Sequence, residues 1–352
     1  MKISAKQNNN SAGLLINHFI LTMVLAGLLG AVFLASLFLG RLDIGLADLG
    51  RMWSAWGSSG TAGLEGDVNW LVLTSVRLPR CLLAVLVGMG LSVSGAVYQG
   101  LFRNPLVSPD ILGVSAGCTL GAALGLIMPN FQFGLVRLLA FLFGLAAVSL
   151  ALWLARLIAV RSVIVLVLAG LVVTAVFNSM LMLIKYLADP YSQLPAIVFW
   201  IMGSFHRAHW RDLNVAAPVI CGGLAVIHFL RYKLNVLSLG DLQARSLGLN
   251  PLAWRVMFVT VSSLIVALSV STCGQVYWVG LVIPHIARTL VGPNHERMIP
   301  VTALIGGLFL LLADDLARSL TTSELPLSVI TALSGAPIFA YLLYRNRGSG
   351  WT

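Results

Sequence analysis

The sequence predicts an all-α integral membrane protein with about ten transmembrane helices. Of its 352 residues, 59% are hydrophobic and only 10% are charged, whereas about a quarter of the residues in an average soluble domain are charged. The mean hydropathy is +0.94. Apolar runs of roughly twenty residues, the length that crosses a hydrocarbon core as a helix, recur along the chain. A soluble globular domain is therefore excluded.

The net charge of +10 also fits a nucleic-acid-binding protein. In a membrane protein, however, Lys and Arg residues at the ends of loops set the orientation of the helices. We interpret the positive charge in this way, and we expect no nucleic-acid partner.

The N-terminal region consists of a polar tail and a first span. Residues 1–13 are predicted to be a disordered tail. The apolar run at about 14–39 is too long for the core of a signal peptide, so we take it as the first span. The other nine spans are predicted at about 78–101, 111–128, 134–157, 163–184, 213–230, 254–272, 276–291, 300–320 and 325–344. Residues 14–345 thus form a single polytopic domain, followed by a tail at 346–352.

Proline residues mark several of these boundaries. Pro79 suits the first turn of span two, Pro105 and Pro109 punctuate the turn after it, and Pro284 is expected to interrupt span eight. Residues 185–212 are predicted to hold an interfacial or re-entrant helix outside the membrane, with Trp200 and Trp210 at the level of the lipid headgroups.

The distribution of basic residues predicts the orientation. Ten spans place both termini on the same side, and with the N-terminus inside, thirteen of the 22 Lys and Arg residues lie inside and nine outside. Because Lys and Arg accumulate in cytoplasmic loops, both termini are expected to be cytoplasmic.

A short polar stretch at 235–251 separates two long apolar runs and then faces the cytoplasm. Asp241, next to Gly240, is expected to cap a helix at about 242–247. Gly248 tolerates the left-handed conformation found just past helix ends, and Pro251 blocks continuation. A capped surface helix at this place, carrying Leu242, Ala244, Leu247 and Leu249, is predicted to bind a partner.

Ten motifs between about residue 75 and the C-terminus resemble, in the same order, the permease family of iron-siderophore, haem and vitamin B12 ABC importers. They are RLPR (77–80), SGAVYQ (94–99), RNPL (103–106), PDILG (109–113), WIMGS (200–204), GDLQARSLG (240–248), GLVIPHIAR (280–288), ADDLAR (313–318), ELP (324–326) and GAPIF (335–339).

The resemblance implies a fold like that of the vitamin B12 importer permease and a multi-pass location in the bacterial inner (cytoplasmic) membrane. It also implies a homodimer that forms a translocation path, two ATPase subunits beneath it, and a substrate-binding protein outside. ATP and Mg would be bound by the ATPase subunits, so no cofactor, metal or catalytic residue is expected in this chain. Among the family's cargoes, which include ferric siderophores, haem, cobalamin and molybdate, we favour an iron chelate.

The resemblance also assigns roles to individual residues. Those matching the family's coupling helices, at about 236–251, are Gly240, Asp241, Ala244, Arg245, Leu247 and Gly248. Those matching arginines that pair with glutamates of the binding protein are Arg77, Arg80 and Arg318, where the guanidinium fork suits carboxylates. Glu324 and Asp314 or Asp315 are alternative partners for Arg318 within the chain. Gate or path positions are Asn104, Leu106, Ser162, Thr174 and Asn178, although Arg161-Ser162 departs from the family's pair of small hydroxyl residues and Asn104 also fits a plain turn cap.

The remaining polar candidates are interpreted structurally. Cys81, Cys118, Cys221 and Cys273 lie in or beside apolar runs without ligand spacing, so we expect small apolar packing residues. His285 is expected to make a structural hydrogen bond.

Two other functional classes stay open. An integral-membrane enzyme needs acids, histidines or cysteines gathered on facing helices, and the apolar runs hold few beyond Asp314-Asp315. An ion-coupled carrier needs ionisable or unwound segments near the midplane, for which Pro284 is the one hint. A cytoplasmic coupling helix favours a transporter that is driven by a separate protein partner.

Overall fold

The computed structural model describes residues 2–40, 42, 45, 48, 50, 51, 54, 67–129, 132–158 and 163–345, with backbone alone for 2–17, 163, 343 and 345. These residues form helices and turns and contain no β-strand. The helices, in chain order, are α1 (Lys2–Phe38), α2 (Val68–Phe102), α3 (Val114–Ile127), α4 (Phe133–Leu157), α5 (Val163–Leu187), α6 (Gln193–Met202), α7 (Trp210–Ser238), α8 (Asp241–Ser246), α9 (Pro251–Cys273), α10 (Val279–Val291), α11 (His295–Ser319) and α12 (Leu327–Arg345).

Seven of the predicted spans are helices long and apolar enough to cross a membrane. They belong to α1, α2, α4, α5, α7, α9 and α11. The predicted third, eighth and tenth spans are the shorter apolar helices α3, α10 and α12. The prediction of an all-helical polytopic membrane protein is confirmed.

Two predictions about helix ends are wrong. The tail expected to be disordered is helical from Lys2 onward and continuous with the first span. Extending an existing helix avoids the cost of nucleation, so a polar segment without proline can continue it. The second span begins ten residues earlier than predicted, because α2 starts at Val68 and passes through a π-helical segment at Val72–Arg77.

The expected interruption at Pro284 is also wrong, since α10 continues through it. Proline removes the amide that would bond to the carbonyl four residues earlier, which belongs to Gly280. That carbonyl faces Gly95 of α2 at close range, and the Gln99 side-chain amide donates to the neighbouring carbonyl of Leu281 at 3.2 Å. The part of α10 that contains the freed carbonyl is therefore packed against α2 and bonded to it at the next residue.

Helix α2 lies at the centre of the molecule. Its most apolar window is 78% buried, compared with 11% for α1 and 28% for α4 and α7. It packs closely against α10 at Gly95 and Gly280 and against α11 at Gly88 and Gly306, where backbone meets backbone. Small residues permit such approaches between helices in membranes.

The predicted helix between spans five and six is α6. Trp200 is half-buried and packs against the core. Trp210 begins α7, is partly exposed, and donates its indole N–H to the Thr74 carbonyl at 2.8 Å. The two ends of α6 are fixed by other bonds: the Gln193 side-chain amide donates to the Ile127 carbonyl of α3 at 3.2 Å, and the Ile201 carbonyl accepts the Gln275 N–H at 3.3 Å.

Two arginines, one inside α2 and one just after it, mark two faces of the protein. Arg80 and Arg103 are separated by 23 residues of continuous helix, which corresponds to about 35 Å along the axis. Arg103 lies beside Gly240 at the start of α8, whereas Arg80 contacts the end of α11. Helix α8 and the charged groups around Arg80 therefore lie on opposite faces.

Candidate functional site

Helix α8 has well-defined ends. Gly240 precedes it with a φ of 118°. At the other end Gly248 has a φ of +80°, the Gly248 N–H donates to the Arg245 carbonyl at 2.9 Å, and the Leu249 N–H donates to the Ala244 carbonyl at 2.9 Å. This pair of bonds is a Schellman motif, which ends a helix with a left-handed residue. The predicted end at Gly248 is confirmed.

The predicted capping role of Asp241 is wrong, because this residue lies inside the first turn of α8. Its carboxylate accepts a hydrogen bond of 2.7 Å from the Arg255 guanidinium of α9. A carboxylate in a first helical turn also interacts favourably with the positive end of the helix dipole. Asp241 consequently fixes α8 to α9.

The surface of α8 is divided into a buried and an exposed side. Ala244 is fully buried against the neighbouring helices, whereas Arg245 is exposed. Leu242 is 79% exposed and Leu247 is 59% exposed. Exposed leucines beside a cation on a short, rigid helix form a surface suited to a protein partner.

The segment before α8 is tied to α11. Asn235 of α7 donates from its side-chain nitrogen to Asn294 at 2.8 Å, and its oxygen accepts the backbone N–H of His295 at 2.8 Å. The Lys233 ammonium lies 3.4 Å from the centre of the Trp254 ring of α9, a cation–π contact. The end of α7 that leads into α8 is therefore fixed to both α9 and α11.

The predicted gate turn after α2 lies next to α8, since Arg103 contacts Gly240. Asn104 accepts the Leu106 N–H on its side-chain oxygen at 2.9 Å, which makes a local turn. Leu106 is 56% exposed. Asn104 thus stabilises the turn through this hydrogen bond, and the Leu106 side chain is exposed on the surface.

The other predicted path residues lie on or before α5. Thr174 donates to the Gly170 carbonyl at 2.8 Å and lies against Gly113. Thr174 and Asn178 are half-buried, at the edge of an exposed apolar face of α5. Ser162 lies outside the described residues. A gate role for any of these residues stays a prediction.

Arg80 lies at the opposite face, where it pairs with two carboxylates. Its guanidinium donates to Asp314 through Nε and Nη2, at 2.8 to 3.1 Å, and to Glu324 through Nη1 and Nη2, at 2.8 and 3.0 Å. The Arg80 side chain is 7% exposed and that of Asp314 is fully buried. The guanidinium fork is thus satisfied inside the chain.

Arg318 forms a second group beside the first. It pairs with Asp315 and donates to the Ser36 carbonyl of α1 at 2.6 Å. The Ser36 hydroxyl donates to Asp315 at 2.5 Å. Asp315 is therefore a partner of Arg318, as predicted, and Glu324 is bound by Arg80.

Arg77 binds the C-terminal end of α1. Its guanidinium donates to the carbonyls of Leu37 and Phe38 at 2.9 Å each and also to the Leu42 carbonyl. The last carbonyls of a helix lack internal partners and carry partial negative charge, which a cation stabilises. Together these three arginines join α1, α2 and α11.

The prediction that Arg77, Arg80 and Arg318 meet a binding protein is not tested by these contacts. All three are between 4% and 6% exposed and have partners within the chain. A sequence pattern gave no sign of the inward pairing of Arg80, because its partners lie 234 and 244 residues away. Capping of α1 by Arg77 was likewise missed.

The cysteines and His285 lie in the helix bundle. Cys81, Cys118 and Cys273 are buried, as expected of packing residues, whereas Cys221 of α7 is exposed. His285 is buried, and its ring meets the Phe339 ring edge-on with centroids 5.9 Å apart.

Comparison with known proteins identifies the family. A model of the FecCD transport family matches residues 28–345. The chain belongs to the FecCD transport family. It is the permease subunit of an ABC importer, and hydrolysis of ATP belongs to a separate partner.

Two relatives of this FecCD chain share 40% sequence identity with it. The molybdate import system permease protein of Haemophilus influenzae is 40% identical over 290 residues, which are 82% of this chain and 85% of the relative. A Helicobacter pylori protein named "Probable iron chelatin transport system permease protein" is 40% identical over 278 residues, which are 79% of this chain and 84% of the relative.

A solved structure shares the FecCD chain's fold. Its title is "An inward-facing conformation of a putative metal-chelate type ABC transporter", and it matches with a TM-score of 0.82 and 36% sequence identity, over 92% of this chain and 98% of the other. The resemblance to importer permeases inferred from the ten motifs is therefore confirmed.

Proposed function

We propose that this chain forms a homodimeric translocation path for an iron chelate, and that α8 receives the movement of two ATPase subunits in the cytoplasm. A binding protein on the outer side delivers the cargo, and ATP and Mg are bound by the ATPase subunits. The bacterial inner membrane is the proposed location.

Two features of α8 together support the coupling role: its leucine side chains are exposed, and the helix is bonded to α9. Leu242 and Leu247 are available to a partner, while Asp241 is bonded to Arg255 in α9. A push on α8 is therefore transmitted to α7 and α9 as a rigid-body movement. Because Arg103 lies beside Gly240, the residue before α8, the same push reaches the turn that contains Asn104 and Leu106, the proposed inner gate.

The face of α5 supports a path between two copies. It leaves a row of large apolar side chains exposed, including Leu168, Leu171 and Val172. Thr174 and Asn178 border this row and are the polar groups proposed to contact passing cargo. Ser162, which precedes α5 in the sequence, is proposed as a further path residue.

An iron chelate, either a ferric siderophore or haem, is supported by the iron chelatin relative and by the metal-chelate type structure. Molybdate is the second candidate, since the Haemophilus influenzae relative has the same identity of 40% over a slightly larger share of the chain. Titration of the purified binding protein partner with ferric siderophore, haemin and molybdate decides between them.

The source of power is tested in proteoliposomes that contain the permease and its ATPase subunits. Cargo uptake is expected to require ATP on the side of α8 and to persist in the presence of a protonophore. Uptake should vanish when a catalytic residue of the ATPase is replaced. Uptake that survives this replacement and stops with the protonophore would show an ion-coupled carrier instead.

A further inference from the structure

A cavity of about 750 Å³ opens between α1 and the turn that joins α10 to α11. Its walls include His18, Leu21 and Val24 of α1 and Leu290, Asn294 and Arg297 from the other side. None of these residues belongs to the proposed coupling surface or path.

The cavity lies on the same face as α8. Asn294, in its wall, is bonded to Asn235 near the end of α7, and α8 follows that helix directly. Because α1 and α11 are both long apolar helices, the cavity is located where two spans meet the interface of the α8-side leaflet.

The walls combine polar and aliphatic side chains. His18 and Val24 are six residues apart on α1, which corresponds to about 9 Å along the helix axis. The polar side chains are those of His18, Asn294 and Arg297, and the aliphatic ones include Leu21 and Leu290. A lipid offers the matching pair of groups, a polar headgroup and an apolar acyl chain.

Arg297 supplies the positive charge of the cavity. It is half-buried, and within the described part of the chain neither a hydrogen bond nor an ion pair engages its guanidinium. The described lining residues include no Asp or Glu. A guanidinium fork binds phosphate in two-pronged fashion, and basic pockets between transmembrane helices take anionic headgroups.

We propose that this cavity binds an anionic phospholipid of the α8-side leaflet, with its phosphate on Arg297 and the first part of an acyl chain along Leu21, Val24 and Leu290. A free phosphate ion would leave the aliphatic walls exposed to water, which is unfavourable. The acyl chain of a lipid covers the aliphatic walls, and its phosphate pairs with the Arg297 guanidinium.

The test is native mass spectrometry of the purified full-length permease, loaded with either phosphatidylglycerol or phosphatidylcholine. Arg297→Gln should lower retention of phosphatidylglycerol about fivefold, the scale for one basic residue near an anionic surface. Val24→Trp, which fills the apolar part, should also lower it. Arg231→Gln is the control. Arg231 lies on α7 four residues before Asn235 and does not line the cavity, so its replacement should leave retention of phosphatidylglycerol unchanged.

Three results would overturn the proposal. Equal losses in Arg297→Gln and Arg231→Gln would show unspecific electrostatic binding. Equal retention of phosphatidylcholine and phosphatidylglycerol would show that the headgroup charge does not contribute to binding. Displacement of the lipid by excess inorganic phosphate, with Val24→Trp ineffective, would show a free-anion site. Size-exclusion profiles that match the wild type establish that each variant is folded.

Discussion

Arg80 and Asp314 lie 234 residues apart in the sequence and meet in a buried ion pair between α2 and the C-terminal part of α11, on the face opposite α8. Two guanidinium nitrogens of Arg80 reach both carboxylate oxygens of Asp314. Burying two charges is costly unless their geometry is good and further bonds satisfy them. Here Glu324 supplies these further bonds, so that one guanidinium is shared between two acids.

Replacing Arg80 by Ala is expected to destabilise the protein by about 3–5 kcal/mol, because Asp314 is left as a buried charge without its main partner. Thermal melting of the permease in detergent measures the loss. Arg51→Ala is the matched control, since Arg51 also pairs with a carboxylate, Asp48, but its side chain is 73% exposed. The control should change the melting temperature little, because solvent screens an exposed ion pair. Similar melting temperatures for both variants would contradict the buried pair.

Glu324→Gln tests whether Arg80 also binds an external partner. This variant keeps the shape of the side chain and releases part of the Arg80 guanidinium, whereas charge reversal of a buried arginine would disturb the fold. If a carboxylate of the binding protein reaches Arg80, its affinity should rise severalfold, which corresponds to about 1 kcal/mol for a partly exposed pair. Surface plasmon resonance with the loaded binding protein measures this. Unchanged affinity indicates that Arg80 serves only to join helices.

Local patterns predicted much of the fold, because span length and composition are properties of contiguous sequence. The end of α8 was visible for the same reason, since Gly248 and Pro251 are close neighbours. The pairs Asp241–Arg255 and Arg80–Asp314 were not visible, because nothing local indicates which cation meets which carboxylate. Pro284 was misinterpreted because α2 lies against α10 at this level, and only the packed structure shows that contact.

Gly248→Ala tests whether the end of α8 matters for coupling. With a φ of +80° and no atom of the described chain within 4 Å of an added Cβ, the substitution costs about 1–2 kcal/mol of backbone strain and creates no clash. We expect lower cargo-stimulated ATP turnover in the assembled complex. Gly292→Ala is the control, because Gly292 has a φ of +82° and equally open space but lies in the α10–α11 turn. Equal effects on turnover would argue against a specific role for α8.

Asp241→Asn tests the brace between α8 and α9. The Asp241 side chain is 36% exposed, so loss of the pair should cost about 1 kcal/mol or less in stability. Coupling is expected to suffer more than stability, since α8 then moves without α9. Two quantities are measured in the variant and in the wild type: the melting temperature and the ratio of cargo uptake to ATP hydrolysed. Tyr191→Glu, at a residue 92% exposed near the other face, should leave this ratio unchanged. A normal ratio in Asp241→Asn would show that the brace does not transmit force.

Gly95→Ala tests the close approach of α2 and α10. An added Cβ would lie 1.8 Å from the Gly280 carbonyl oxygen, so the helices must separate, and overpacking of this kind costs about 1–3 kcal/mol or more. Gly222→Ala in α7 is the matched control. No described atom lies within 4 Å of its Cβ position, and the higher helix propensity of Ala should stabilise the protein by up to about 1 kcal/mol. Melting temperatures should therefore shift in opposite directions. Because the freed carbonyl of Gly280 depends on contact with α2, Gly95→Ala should also increase hydrogen exchange in α10, and unchanged exchange there would refute the role assigned to this contact.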